Sequence, residues 1–148
     1  TVVHANAKNY PFSKKYNCII SNPPFYENEL RSGNAKKNIA HHYDGLLLTE
    51  LLAIIKNNLA PEGMFYLLLP YKRSQEIKEL LLRLEFTISN MILVRQSVNH
   101  DYFRIMLTGK IKPVEPVETL IDEISICDDK QQYTTEFIEL LKDYYLYL

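Results

Sequence analysis

Tyr16-Asn17-Cys18-Ile19-Ile20-Ser21, followed at once by Asn22-Pro23-Pro24-Phe25, is the stretch that decides the fold. An apolar run of strand character ends in a turn that two prolines make rigid. Each proline holds its own φ at about −65° and pushes the residue before it into the extended region, so Asn22 and Pro23 are both kept out of a helix. Pro23 has no N–H, and the free polar group it offers is its carbonyl. The Asn22 side-chain oxygen and the Pro23 carbonyl can therefore point at one donor that carries two hydrogens. An exocyclic amine or a carboxamide is such a donor, and Phe25 can lie against its flat face. The plain alternative is a Pro-Pro turn that does no more than end a strand.

Outward from this stretch the chain alternates strand and helix patterns. Thr1 to Ala5 reads as a short β-branched strand before Tyr16 to Ser21, and Asn28 to His42 as a polar loop. Asp44 to Leu59 reads as a helix, with Leu47, Leu48, Leu51, Leu52 and Ile55 on one stripe and Pro61 past its end. Gly63 to Leu69 is a near-continuous apolar run, the pattern of a parallel strand covered on both faces. Ser74 to Leu84 follows as a helix with Ile77, Leu80, Leu81 and Leu84 inward. Strand runs are expected at Thr87 to Gln96, Phe103 to Ile111 and Thr119 to Cys127, then a terminal helix that places Phe137, Leu141, Tyr144 and Leu148 on one face.

The chain has 148 residues, enough for one domain with a sizeable core; 47% are hydrophobic and 24% charged, an ordinary soluble composition. No apolar run approaches membrane-spanning length and no signal-peptide pattern opens the chain, so no membrane partner is expected and the cytoplasm is the expected compartment. Cys18 and Cys127 are too few and too far apart for a disulfide framework, and Cys18, within a strand pattern, is expected to be a buried thiol. His41, His42 and His100 lack Cys or acidic partners at ligand spacing, so no metal is expected. A net charge of −1 argues against a strongly electropositive nucleic-acid binder. Local patches still matter: Arg31, Lys36 and Lys37 cluster after the proline turn and form a plausible phosphate-contact surface, with Arg95, Arg104 and Lys110 next in line. For any one of these lysines a solvated loop position is the commoner outcome.

Asn22-Pro23-Pro24-Phe25 at a strand end resembles the motif of the S-adenosylmethionine-dependent amino-methyltransferases, which holds a target NH₂ on adenine, cytosine or glutamine. Ile20 to Glu27, Ala40-His41-His42-Tyr43, Tyr133-Thr134-Thr135-Glu136-Phe137 and Lys142 to Leu148 are similar to one bacterial group within it, the valine-tRNA adenine-N6 methyltransferases. The resemblance implies an α/β fold, the Rossmann-like methyltransferase sheet in its C-terminal portion, lacking the first strands. It implies S-adenosylmethionine as cofactor, tRNA as partner, Asn22, Pro23, Pro24 and Phe25 as the catalytic set, and Asn6, Ala7 and Asn22 at the cofactor. Asn6 stands where the family usually has an aspartate; a turn residue after a strand is an equally good reading of it.

Only Gly33, Gly45, Gly63 and Gly109 are present, and none opens a helix after a strand. The Gly-rich turn and the ribose-binding acid of such enzymes are thus missing, and the stretch reads as the C-terminal part of a longer catalytic domain, inactive and unable to bind cofactor alone. The resemblance places two further strands between Thr1–Ala5 and Tyr16–Ser21. Without them, residues 1–12 should be irregular, and the 16–21 strand should become an exposed apolar edge open to self-association. Three functions follow: a tRNA adenine-N6 methyltransferase; the same chemistry on DNA, rRNA or a protein glutamine; or an inactive fragment that acts as an interaction module.

Overall fold

The computed structural model describes residues 1–23, 46–111 and 118–145. In chain order the elements are β1 (Tyr16–Ser21), α1 (Leu48–Asn58), β2 (Leu59–Pro70), a 3₁₀ turn (Tyr71–Arg73), α2 (Ser74–Arg83), β3 (Phe86–Ser97), β4 (Tyr102–Ile111), β5 (Leu120–Cys127) and α3 (Thr135–Leu141). The strands form one sheet in the order β1-β2-β4-β3-β5. β1 runs parallel to β2, β4 runs antiparallel to both β2 and β3, and β5 runs parallel to β3. Four strands therefore point one way and β4 alone points back.

The core lies on one face of this sheet. Side chains alternate along a strand, so Phe65, Leu67 and Leu69 of β2 share a face with Ile105 and Leu107 of β4, and all five are buried. The helical period brings Leu48, Leu51, Leu52 and Ile55 of α1, and Ile77, Leu80 and Leu81 of α2, down onto them. β3 keeps this face only by an irregularity. Its register shifts between Ile88 and Asn90, so Phe86 and Ile88 before the shift and Met91 and Leu93 after it all reach the core.

Two glycines set how closely the strands pack. A Cβ on Gly109 would stand 2.4 Å from the Phe65 ring and 2.8 Å from the Thr87 carbonyl. Phe65 fills that space, fully buried, with its ring edge-on to Phe86 at 5.1 Å. A Cβ on Gly63 would lie 2.9 Å from the Tyr16 carbonyl, so its absence lets β1 close against β2.

Each expected strand from residue 16 onward forms, displaced by a few residues at its ends. Three expectations are corrected. Thr1 to Ala5 is not a strand: among the described residues no strand lies beside it, its residues are exposed, and the backbone is irregular until β1, as expected of residues 1–12. Cys18 is exposed, because β1 is the outermost of the described strands and Cys18 points away from the face on which its neighbour Ile19 meets the core. The terminal helix stops at Leu141, so Phe137 and Leu141 are half-buried while Tyr144 is 83% exposed beyond it; Leu148 lies outside the described residues.

Replacing Gly109 by Ala is expected to cost about 1–3 kcal/mol, the usual penalty for overpacking a filled core. Urea unfolding should show a lower midpoint at unchanged slope, and a companion Phe65→Leu change in the Ala variant should recover part of the loss.

Candidate active site

The parallel strands deliver their carboxyl ends to one edge of the sheet, the edge at which open α/β sheets bind ligands. Ser21 pairs with Leu67, so the next two residues of β1 emerge beside the last turn of β2. Asn22 is exposed and Pro23 is buried. Packing fixes the proline while the carboxamide before it faces solvent, the arrangement a positioned acceptor needs. Pro24 and Phe25 lie outside the described residues, as do Arg31, Lys36, Lys37, His41 and His42.

Asn6 and Ala7 sit in a turn at residues 6–9. The Asn6 side-chain oxygen accepts from the Lys8 N–H at 3.0 Å, and its backbone carbonyl accepts from the Asn9 N–H at 3.1 Å. The turn reading of Asn6 is thus realised. The turn is tied to the start of α1: Lys8 Nζ is 2.9 Å from Glu50 Oε2, which also accepts the Leu47 N–H at 2.8 Å. Since α1 begins at the carboxyl end of the sheet, this tether brings the 6–9 turn toward the edge that bears Asn22. Alongside, Tyr10, Phe12 and Tyr16 meet edge to face at 4.9 and 6.1 Å and help line a hollow of about 290 Å³ that also touches Ala5 and Ala7. Tyr16 opens β1 at its amino end, so this hollow extends away from the carboxyl edge that bears Asn22.

Arg104 pairs with Pro70 at the end of β2, so it shares the carboxyl edge with Asn22, with β2 between them; its guanidinium stands 5.7 Å from the exposed Phe103 ring. Lys110 pairs with Thr87 near the opposite end of β4, about 20 Å away at the usual rise per residue. Arg95 reaches the same edge as Arg104 but is held internally. It donates to Glu123 and to the Ser125 hydroxyl, each at 2.7 Å, and lies 5.5 Å over the Tyr102 ring. Tyr102 donates its hydroxyl to Glu123 and packs against Tyr71 at 5.3 Å. That carboxylate holds the Tyr102 hydroxyl above its ordinary pKa.

This Tyr71, Arg95, Tyr102 and Glu123 cluster was not foreseen from the sequence, since its members come from four elements. Its only local signal is the Tyr102-Phe103-Arg104 run. Nor was the turn after β3, where the fully buried Ser97 hydroxyl meets His100 Nδ1 at 2.6 Å. Among the described residues no three His, Cys, Asp or Glu side chains converge as a metal site, and no helix is long and apolar enough to cross a membrane.

No family model matches the chain. It is 30% identical over 135 residues to the tRNA1(Val) (adenine(37)-N6)-methyltransferase of Christiangramia forsetii, covering 91% of this chain and 55% of that protein. The enzyme of the same name from Dyadobacter fermentans is 30% identical over 149 residues, 99% of this chain and 61% of its own length. The chain thus spans little more than half the length of the curated relatives it matches. Among solved structures, a predicted O-methyltransferase from Agrobacterium tumefaciens matches with a TM-score of 0.61 at 15% identity, over 86% of this chain and 51% of that one. A Listeria monocytogenes protein described as a class I S-adenosylmethionine-dependent methyltransferase matches with a TM-score of 0.54 at 15% identity, over 80% and 39%. These likenesses show the fold: the sheet is the Rossmann-like sheet of class I methyltransferases.

The Leu47 N–H and the Lys8 ammonium hold the Glu50 carboxyl below its ordinary value of 4.5. A depressed carboxylate adds stability that is present above the unfolded-state pKa and lost as pH falls through the folded-state value. Glu50→Gln is therefore expected to melt below the parent at pH 7, and the gap in Tm should close in melts recorded at progressively lower pH beneath 4.5.

Proposed function

We propose that this chain is the substrate-holding part of a methyltransferase that moves a methyl group from S-adenosylmethionine to N6 of an adenine in the anticodon loop of valine tRNA. One observation carries it. Asn22-Pro23 leaves the first strand of a Rossmann-like methyltransferase sheet at its carboxyl edge, with the carboxamide exposed and the proline buried. The likeness over nine-tenths of the chain to enzymes named for this reaction on tRNA supports the substrate.

The N6 lone pair of adenine is delocalised into the ring and is a weak nucleophile. In this reading the Asn22 side-chain oxygen and the Pro23 carbonyl accept its two hydrogens, which favours a more tetrahedral nitrogen and aims the lone pair. Pro24 keeps the turn stiff, and Phe25 stacks on the base once it is turned out of a single-stranded loop, where extrusion is cheap. S-adenosylmethionine supplies an electrophilic methyl on sulfur. Asn6, Ala7 and Asn22 would border it. The N6 proton leaves to water afterwards, so positioning and electrostatics, with no strong base, carry the rate. Arg31, Lys36, Lys37 and Arg104 would take tRNA phosphates. Arg95 would join them only by giving up its bonds to Glu123 and Ser125. A tRNA-modifying role places the protein in the cytoplasm, and residues 1–148 work as one unit of the catalytic domain.

The test uses the intact gene product with unmodified tRNA and isotopically labelled S-adenosylmethionine, followed by nucleoside mass spectrometry. N6-methyladenosine is expected in valine tRNA and not in duplex DNA. Asn22→Ala should lower kcat by roughly 3 kcal/mol, about a hundredfold, while tRNA affinity stays near the parent's. Normal turnover in that variant would remove Asn22 from the mechanism, and methylation of duplex DNA in preference to tRNA would reassign the substrate.

A further inference from the structure

We propose that the hairpin joining β3 to β4 binds the single-stranded RNA beside the target adenine, with the Phe103 ring stacked on a neighbouring base and Arg104 at its phosphate; this rests on the function proposed above. The register marks the place. Val94 is opposite Arg104 and Arg95 is opposite Tyr102, so Phe103 has no partner on β3. On its other side β2 ends with Pro70 opposite Arg104. An extra residue on one strand is a β-bulge, a device that re-aims a side chain and is common beside active sites. Here it turns the ring outward, 41% exposed, with the Arg104 guanidinium 5.7 Å from its centroid. A lone exposed ring is ordinary on a protein surface. This one stands on a hairpin that is held from within.

Tyr102, next to Phe103, donates its hydroxyl to Glu123 and packs on Tyr71 at 5.3 Å. In the turn, the Ser97 carbonyl accepts the His100 N–H at 3.0 Å, and the buried Ser97 hydroxyl meets His100 Nδ1 at 2.6 Å. The Val98 N–H donates to the Cys127 carbonyl at 3.2 Å, which ties the turn to β5. A ring so anchored stacks a base without first being ordered, and the stacking tolerates any base because each has a π face. Charge sets the side on which the strand runs. Asp101, the acid of the turn, repels phosphate from the tip, whereas Arg104 attracts it nearer the sheet. Ser21 is opposite Leu67, and Leu67 is opposite Leu107. Phe103 therefore lies about 10 Å along the strands and about 10 Å across them from Asn22, at the usual spacings. Bases that far apart belong to different nucleotides of one loop. Phe103 serves a flanking base, and the target adenine stays with Asn22 and Pro23.

The test assays the intact gene product on RNA hairpins that carry the anticodon loop of valine tRNA, with labelled S-adenosylmethionine. Phe103→Ala should raise KM for the RNA about tenfold, the worth of one stacked base, and lower kcat far less. Phe103→Trp should keep the parent's KM. Phe103→Leu, apolar but without a π face, should behave as Phe103→Ala does. Tm should be alike in the parent and all of these variants, since the ring is exposed. Abasic sites are then placed one at a time in the loop, sparing the target adenine. At one of them the parent should lose about tenfold in KM and Phe103→Ala nothing further, the non-additivity of two partners in contact. Additive losses at every site, an unchanged KM in Phe103→Ala, or a fall in Tm that Phe103→Leu restores would overturn the stacking role while methyl transfer to the RNA stands. A parent inactive on every such hairpin would overturn the proposed function and this inference with it.

Discussion

The Phe65 ring occupies the volume that Gly109 leaves empty, and the rest of the sheet is assembled around that contact. Phe65 is on β2 and Gly109 on β4, directly opposite in register, and Phe86 of β3 closes the other side of the ring. One aromatic side chain thereby fixes the spacing and register of the three central strands. A one-residue slip between β2 and β4 would turn Phe65 away from the glycine and reverse every inward side chain on the strand. β1 inherits its position from β2 through Gly63. The place where Asn22 emerges is thus set by a chain of backbone contacts that starts in the core and ends at the carboxyl edge.

Periodicity made the long elements legible. The Leu47–Ile55 stripe, the Ile77–Leu84 stripe and the apolar run from Gly63 each reflect burial on a helix or sheet face, and burial is what those patterns encode. Element ends were read less well, because they depend on local bonds: Asn58 caps its own helix by donating to the Ile54 carbonyl, so β2 begins at Leu59 with no loop between. Thr1 to Ala5 shows the opposite failure. Its β-branched residues suit a strand, but propensity makes no strand without a neighbour to pair with. Cys18 was misjudged for a related reason, since burial of a strand residue depends on what covers its face, which the strand's own sequence does not state.

The site was legible only where it is local. Asn22 and Pro23 are adjacent in sequence and their rigidity is covalent, so their geometry could be read directly. The cationic candidates sort by topology instead. Arg104 and Lys110 lie on one strand yet at opposite ends of the sheet, and only the first stands at the carboxyl edge. Arg95 is at that edge too, but its charge is spent holding β3 to β5 through Glu123 and Ser125. Its removal would leave the exposed Glu123 carboxylate with the Tyr102 hydroxyl and take the guanidinium away from the Ser125 hydroxyl, a different defect from the loss of a phosphate contact.

Among the described residues β1 is bonded on one side only, and this has a dynamic consequence. A strand bonded on one side only can detach without breaking the Phe65 contact, so amide hydrogens of residues 16–21 should exchange through local opening, at a free energy below that of global unfolding. Those in β2 and β4 should wait for the whole sheet. Asn22 therefore rides on one of the two outermost described strands. Whatever pairs with the other side of β1 slows this opening and holds the carboxamide still, so a neighbour at that edge is felt at the acceptor.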